Sequence, residues 1–315
     1  MKPPGAAGVH VAMRSISTCF QIRFRPLLLL ALALLTTTLA ACSATRLAYS
    51  QLDWLIPRQL GDYVTLDSIQ RAWLDARLQE HLAWHCRTQL PAYADWLGTL
   101  RAELNGAPPD PEQLRDHVRR LETFIDALLV EIAPTAAELA MRLDQRQRDE
   151  LFARLDRRLT EDRTEHLDPP PGQRQRAERL ERRLRYWLGT LTPEQTARIR
   201  QWSAALPDQN TAAWLENRQR LQAAAREILA KPDEGSARLR LTRLLEAPAV
   251  VHTPAYQRQI EHNRAQAIAL TADLLRLATD RQRTRLDRRI GSLADDFQKL
   301  RCARETVAAL RPEAG

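Results

Sequence analysis

The chain has 315 residues with 47 basic and 39 acidic side chains, a formal charge of +8. Glycine is scarce at 10 residues, isoleucine and valine are few, and no alternating strand pattern of useful length occurs, so the composition excludes a strand-rich or low-complexity chain and favours helix. Charges of both signs are closely mixed, as on solvated helix faces with i,i+4 pairs, which argues against a nucleic-acid partner.

The first element is a targeting segment. Arg23 and Arg25 precede Pro26, and Leu27 to Leu39 is apolar except for Thr36, Thr37 and Thr38. A spanning helix needs roughly 20 apolar residues, so this short run reads as a cleaved signal and not as a retained anchor. It ends in Leu39-Ala40-Ala41-Cys42, which resembles the bacterial lipobox. The resemblance implies that small residues enter a narrow peptidase pocket and that the Cys42 thiol accepts a diacylglyceryl group. Each buried acyl methylene contributes about 0.8 kcal/mol, so a multiply acylated cysteine anchors firmly. Ser43, where an aspartate would resemble an inner-membrane retention signal, favours the outer membrane. Met13 is an alternative start. Residues 1–41 carry four cations and no acid, so the charge falls to +4 once they are removed.

Helices are expected from there on, with 42–65 as the lipid-anchored segment. The first runs from Thr45 to Ile56 and ends near Pro57. Asp67 to Thr88 is strongly amphipathic. Pro91 opens a helix that stops at Asn105-Gly106, and the turn at 107–113 feeds one whose apolar positions include Leu114, Val118, Leu121, Ile125 and Leu128. Pro134 is expected to break or kink it. Asp144 to Glu165 is a charged helix. Asp-Pro-Pro-Pro-Gly at 168–172 is the clearest linker, dividing a helical half at 66–167 from one at 173–308. Helices then follow near 173–189, 193–206, 211–230, 236–246, 255–278 and 280–308. The expected fold class is all-α, a multi-helix bundle behind the signal peptide.

One device recurs along these helices. Asp67…Gln70, Asp144…Gln147, Thr192…Gln195 and Thr279…Gln282 each place a capping residue three before a glutamine. An aliphatic residue follows four after each glutamine: Leu74, Leu151, Ile199 and Leu286. Leu66, Leu143, Leu191 and Ala278 directly precede the caps. This is a capping box, in which the cap oxygen takes an orphan N–H and the glutamine bonds back to the cap. Four with the same flanks suggest an old duplication, although independent helix starts would also produce them. The glutamines lie 77, 48 and 87 residues apart, which excludes a regular solenoid.

Four cysteines are present. Cys19 leaves with the signal and Cys42 is the lipidation site. Cys86 and Cys302 remain as a candidate disulfide, the alternative being two buried thiols. His81 and His85 stand at i and i+4, the spacing that lets two imidazoles share a metal, but no third ligand is evident nearby, and a histidine packed on Trp84 or Tyr93 is the simpler reading. Tyr49, Trp54, Tyr63, Trp73, Trp84, Tyr93 and Trp96 crowd the N-terminal part. They read as core packing, with a client or peptidoglycan groove as the functional alternative and Tyr49 and Trp54 as candidates for the headgroup level. No nucleophile elbow, phosphate loop, dinucleotide fingerprint or Cys-x-x-Cys occurs.

Two resemblances add to this. "LAYSQLDWLI", "DYVTLDSIQRAWLDARL", "LAWHCRTQLPAYADWL" and "YWLGTLTPEQTARIRQW" are together similar to the bacterial lipoproteins of the domain of unknown function 6279, over essentially the whole mature chain. Members commonly carry a polar residue after the Trp-His pair and a glutamate before the Leu-Pro; here Cys86 and Gln89 stand there, so a charge pair is lacking. Leu191-Thr-Pro-Glu-Gln195 resembles the LTxxQ motif of Spy-like periplasmic proteins, helical cradles that hold unfolded clients. The resulting expectation is a lipoprotein on the periplasmic side of the outer membrane, without cofactor or catalysis, that binds or scaffolds a protein partner in the envelope. A Spy-like holdase and an envelope enzyme using His81 and His85 are the alternatives.

Overall fold

The computed structural model describes residues 44–167, 172–207, 210–230 and 234–300. Leu39, Ala40, Ala41, Cys42 and Ser43, the prolines of the linker, and Cys302 lie outside the described residues. Among the described residues no strand occurs, and the fold is an all-α bundle. Helices α1 (Ala44–Ser50) and α2 (Leu52–Gly61) lead into α3 (Ser68–Trp84), a π-turn (His85–Gln89) and α4 (Leu90–Leu104). Two long helices follow, α5 (Pro111–Arg142) and α6 (Gln145–Leu167). Beyond the linker come α7 (Gln173–Leu188), α8 (Pro193–Ala205), α9 (Asn210–Ala230), α10 (Glu234–Glu246), α11 (Pro254–Arg276) and α12 (Asp280–Lys299). From Ala48 onward the chain clusters into one compact unit.

Pro57 stands where a helix end is expected from sequence and Pro134 where a break or kink is expected, and neither interrupts its helix; Pro91 opens α4 as expected. Pro57 lies inside α2 and Pro134 inside α5. A proline in a helix interior costs about 3 kcal/mol because it removes a bond to the carbonyl four residues back. Those carbonyls belong to Asp53 and Val130, both exposed residues, so water can replace the lost donor. Pro91 is the second residue of α4, yet no non-helical residue separates α4 from α3. The π-turn makes this possible. Leu90 donates its N–H five residues back to His85, and the wider turn keeps the Pro91 ring off the carbonyl of Arg87. The single helix expected over 45–56 is instead two, parted at Gln51.

The halves on either side of the linker share their cores. Leu97 of α4 packs on Ile290 and Ala294 of α12. Leu114 of α5 packs on Ile268 and Ala272 of α11. Ala137 of α5 and Phe152 of α6 pack on Ile228 and Leu229 of α9 and on Leu241 and Leu244 of α10. Arg101 of α4 also grips Asp287 of α12 through two bonds, Nε to Oδ1 at 2.6 Å and Nη2 to Oδ2 at 2.9 Å. That grip, together with Asn105, holds the Asp287 carboxyl below its ordinary range.

Candidate functional site

The four boxes form as their spacing requires. The side chains of Asp67, Asp144, Thr192 and Thr279 accept the backbone N–H of Gln70, Gln147, Gln195 and Gln282 at 2.8, 2.7, 3.2 and 3.3 Å. Each glutamine Oε1 in return accepts the N–H of its own cap at 3.0 Å. Each box thereby satisfies two orphan donors of its helix.

The amide nitrogens then join the boxes in pairs. Gln70 Nε2 donates to Gln147 Oε1 at 2.9 Å, and Gln147 Nε2 donates to Gln70 Oε1 at 2.7 Å. Gln195 and Gln282 exchange the same two bonds, at 3.0 and 2.9 Å. The second hydrogen of each amide goes to the carbonyl two residues before the partner's cap. Gln70 reaches Arg142 and Gln147 reaches Thr65, both at 2.8 Å. Gln195 reaches Leu277 at 3.4 Å, and Gln282 reaches Thr190 at 2.8 Å. Every amide nitrogen gives a bond to its twin and one to a carbonyl, which Gln195 shares between Leu277 and Leu274, and every amide oxygen takes two, so these buried groups, 0 to 8 % exposed, are fully satisfied. We call each such pair a clasp. One locks the start of α3 to the start of α6, the other the start of α8 to the start of α12. The boxes are therefore not independent helix starts, and the glutamines 48 residues apart in sequence, Gln147 and Gln195, are not a pair.

A fifth box stands at Asp110, where the sequence predicts only a turn. Asp110 accepts from Glu112 and Gln113 N–H, and Gln113 Oε1 accepts from Asp110 N–H at 2.9 Å. Gln113 is exposed, and among the described residues its amide nitrogen has no protein partner. The signal was present in Asp-Pro-Glu-Gln; the aliphatic flanks were not, since Pro109 precedes the cap and His117 stands four after the glutamine.

The histidines turn to separate tasks. His81 Nδ1 lies 2.9 Å from Glu131 Oε1 and Nε2 lies 2.8 Å from Thr135 Oγ1, tying α3 to α5. His85 Nδ1 lies 3.1 Å from the Tyr49 hydroxyl, which is also 3.4 Å from the Leu82 carbonyl. The His85 ring stacks on Tyr49 at 5.7 Å and meets the edge of Tyr93 at 5.5 Å. His81 and His85 thus do not converge, and among the described residues no group of three His, Cys, Asp or Glu side chains could hold a metal ion. Burial lowers the pKa of His85, raises that of Tyr93, and, with Tyr93 adding to it, pushes Tyr49 up to about 12. Tyr93 packs on Phe124 at 4.7 Å and on Phe297 at 5.9 Å. Trp96 donates its indole N–H to His117 Nδ1 at 3.1 Å, which leaves His117 Nε2 to donate to Glu103 at 2.8 Å. Most of the N-terminal aromatics are therefore joints between helices, whereas Trp54 is 59 % exposed.

Cys86 sits in the π-turn, 5 % exposed. It is disulfide-bonded. Its Sγ lies 3.9 Å from the carbonyl oxygen of Leu300, two residues before Cys302 in sequence.

Fold and side-chain geometry together define an all-α bundle in which glutamines and histidines join helices distant in sequence. The chain belongs to a family of unknown function, DUF6279, which it matches over residues 62–257. That span holds the whole first clasp and the Gln195 side of the second, and Gln282 lies beyond it. No curated protein and no solved structure matches the chain.

Proposed function

We propose that this protein is a lipid-anchored lipoprotein on the periplasmic side of the outer membrane, acting without catalysis as a binding or scaffolding element for an envelope protein. The two clasps carry this reading. They spend the conspicuous buried polar side chains on fixing helix starts to one another, which suits a rigid platform. The address rests on Leu39-Ala40-Ala41-Cys42 followed by Ser43. Tyr49, seven residues after that cysteine, seats on His85 and so fastens the entering chain to the bundle. A Cys86–Cys302 disulfide suits an oxidising compartment and is part of the proposal. The test is crosslinking in native envelopes followed by pull-down, with Cys42→Ala as control. One or two stoichiometric partners, lost in the control, are expected. A soluble form that hydrolyses envelope substrates, and loses this with one carboxylate or histidine substitution, would sink the reading.

A holdase is the second reading, favoured by one observation. Leu121, Ile125 and Ile132 of α5 fall on one helix face and are 41, 57 and 37 % exposed, an uncovered apolar stripe of the kind that a client needs. Suppression of client aggregation near equimolar ratio, abolished by Ile125→Asp, would establish it. A pull-down confined to one or two partners speaks against it.

A further inference from the structure

The even mixing of charge read from the sequence does not survive the fold. Helix α7 carries six arginines against two glutamates, and α12 carries six cations against four aspartates. The two together hold a formal +6, whereas every other helix lies between −2 and +1 and residues 42–315 as a whole carry +4. The two cationic helices are packed side by side. Arg179, Arg182, Arg183 and Tyr186 recur at i, i+3, i+4 and i+7 and so share the face of α7 opposite its buried Ala177 and Glu181. Tyr186 joins this stripe to α12. Its ring lies 4.4 Å beneath the Arg289 guanidinium, and its carbonyl accepts two 3.3 Å bonds from Arg285. Gly189 makes that approach possible. It has φ +81, and a Cβ there would stand 3.3 Å from Arg285 Cδ. Among the described residues, Arg179, Arg182, Arg183, Arg285 and Arg289 make no ion pair, whereas three of the four arginines of α5 do, and Arg174 and Arg185 of α7 pair with Glu178 and Glu181.

From this segregation we infer that the α7–α12 face is an electrostatic docking surface for a bilayer rich in anionic phospholipid. Two adjacent helices present a broad face, not a cleft, which suits an extended surface of headgroups. An exposed tyrosine, 54 % accessible and ringed by arginines, is the side-chain pairing that the water–lipid boundary favours. Arg179, Arg182 and Arg183, which hold no protein partner among the described residues, are attracted to headgroup phosphates and lose none on contact. The inference is independent of acylation at Cys42.

The experiment sediments the unacylated chain from Ser43 onward with vesicles of phosphatidylglycerol and phosphatidylcholine, and with phosphatidylcholine alone, across a salt series. Arg179→Gln/Arg182→Gln/Arg183→Gln is compared with Arg71→Gln/Arg200→Gln/Arg258→Gln, which removes the same charge from exposed positions elsewhere. Binding to the anionic vesicles that weakens with salt is expected, with a roughly 100-fold loss in the α7 variant, at about fivefold for each of the three arginines. The control triple should keep most of the binding. No anionic-vesicle binding at low salt, equal binding to neutral vesicles, or equal loss in both triples would each overturn the proposal. Circular dichroism of both triples separates lost binding from lost fold. Because no acyl chain is present, neither result bears on the lipid anchor.

Discussion

Compare the helix start at Asp110 with the one at Thr192. Both are complete boxes, with a cap oxygen on the N3 amide and a glutamine returning to the cap. Gln113 stops there, exposed, while Gln195 is 0 % exposed and continues into a clasp. The cap chemistry is shared; the flanks differ. An aliphatic residue before the cap and another four after the glutamine bury the amide, as Ile199 does beside Gln195. A buried amide must find partners for all its valences. A box thus becomes a long-range joint when its surroundings are dry.

That difference is open to test. The largest effect is expected from Gln195→Ala, which strands the Gln282 amide in the core. Denaturant unfolding should show a loss of about 2–4 kcal/mol, against less than about 1 kcal/mol for Gln113→Ala. Equal losses would mean that the clasp adds nothing to the cap. A double-mutant cycle on Gln70 and Gln147 should return a coupling of about 1–2 kcal/mol, whereas Gln113 paired with Gln147 should be additive to within about 0.5 kcal/mol. The caps themselves should not discriminate: Thr192→Ala and Asp110→Ala should each cost about 1 kcal/mol. The smallest effect concerns pH. The folded-state pKa of His85 is lowered by burial, so the unfolded chain binds its proton first as pH falls. Stability should fall as pH drops below about 6.5, and His85→Gln should flatten that slope. The clasps hold no imidazole, so mutating Gln195 should leave the slope unchanged.

Much of this was legible in the chain. Scarce glycine and 3.6-residue periodicity led to the all-α bundle, and the Asp/Thr-x-x-Gln spacing marked four helix starts. The pairing of those starts was not legible. It depends on how α4 and α5, and later α9 to α11, carry the chain back, and spacings of 77 and 87 residues say nothing of return paths. A proline's local cost is real, yet Pro57 lies inside α2 where a helix end is expected, whereas Pro91 opens α4 as expected and Pro134 leaves α5 unbroken. His81 and His85 have a metal-like spacing, yet the side chains opposite them, Glu131 and Tyr49, come from distant sequence. Charge segregation onto α7 and α12 was present in the sequence and hidden by averaging over the chain.

The clasps also have a consequence for how such a chain can be inherited. Each glutamine amide is completed by its twin and by a carbonyl beside the twin's cap, so a change in one leaves the other stranded until it changes too. Positions 70 and 147 should therefore drift together across descendants, as should 195 and 282, while position 113 wanders freely. The two clasps repeat one bonding scheme within a single chain, the arrangement that an ancestral half-length unit, copied in tandem and fused, would leave behind.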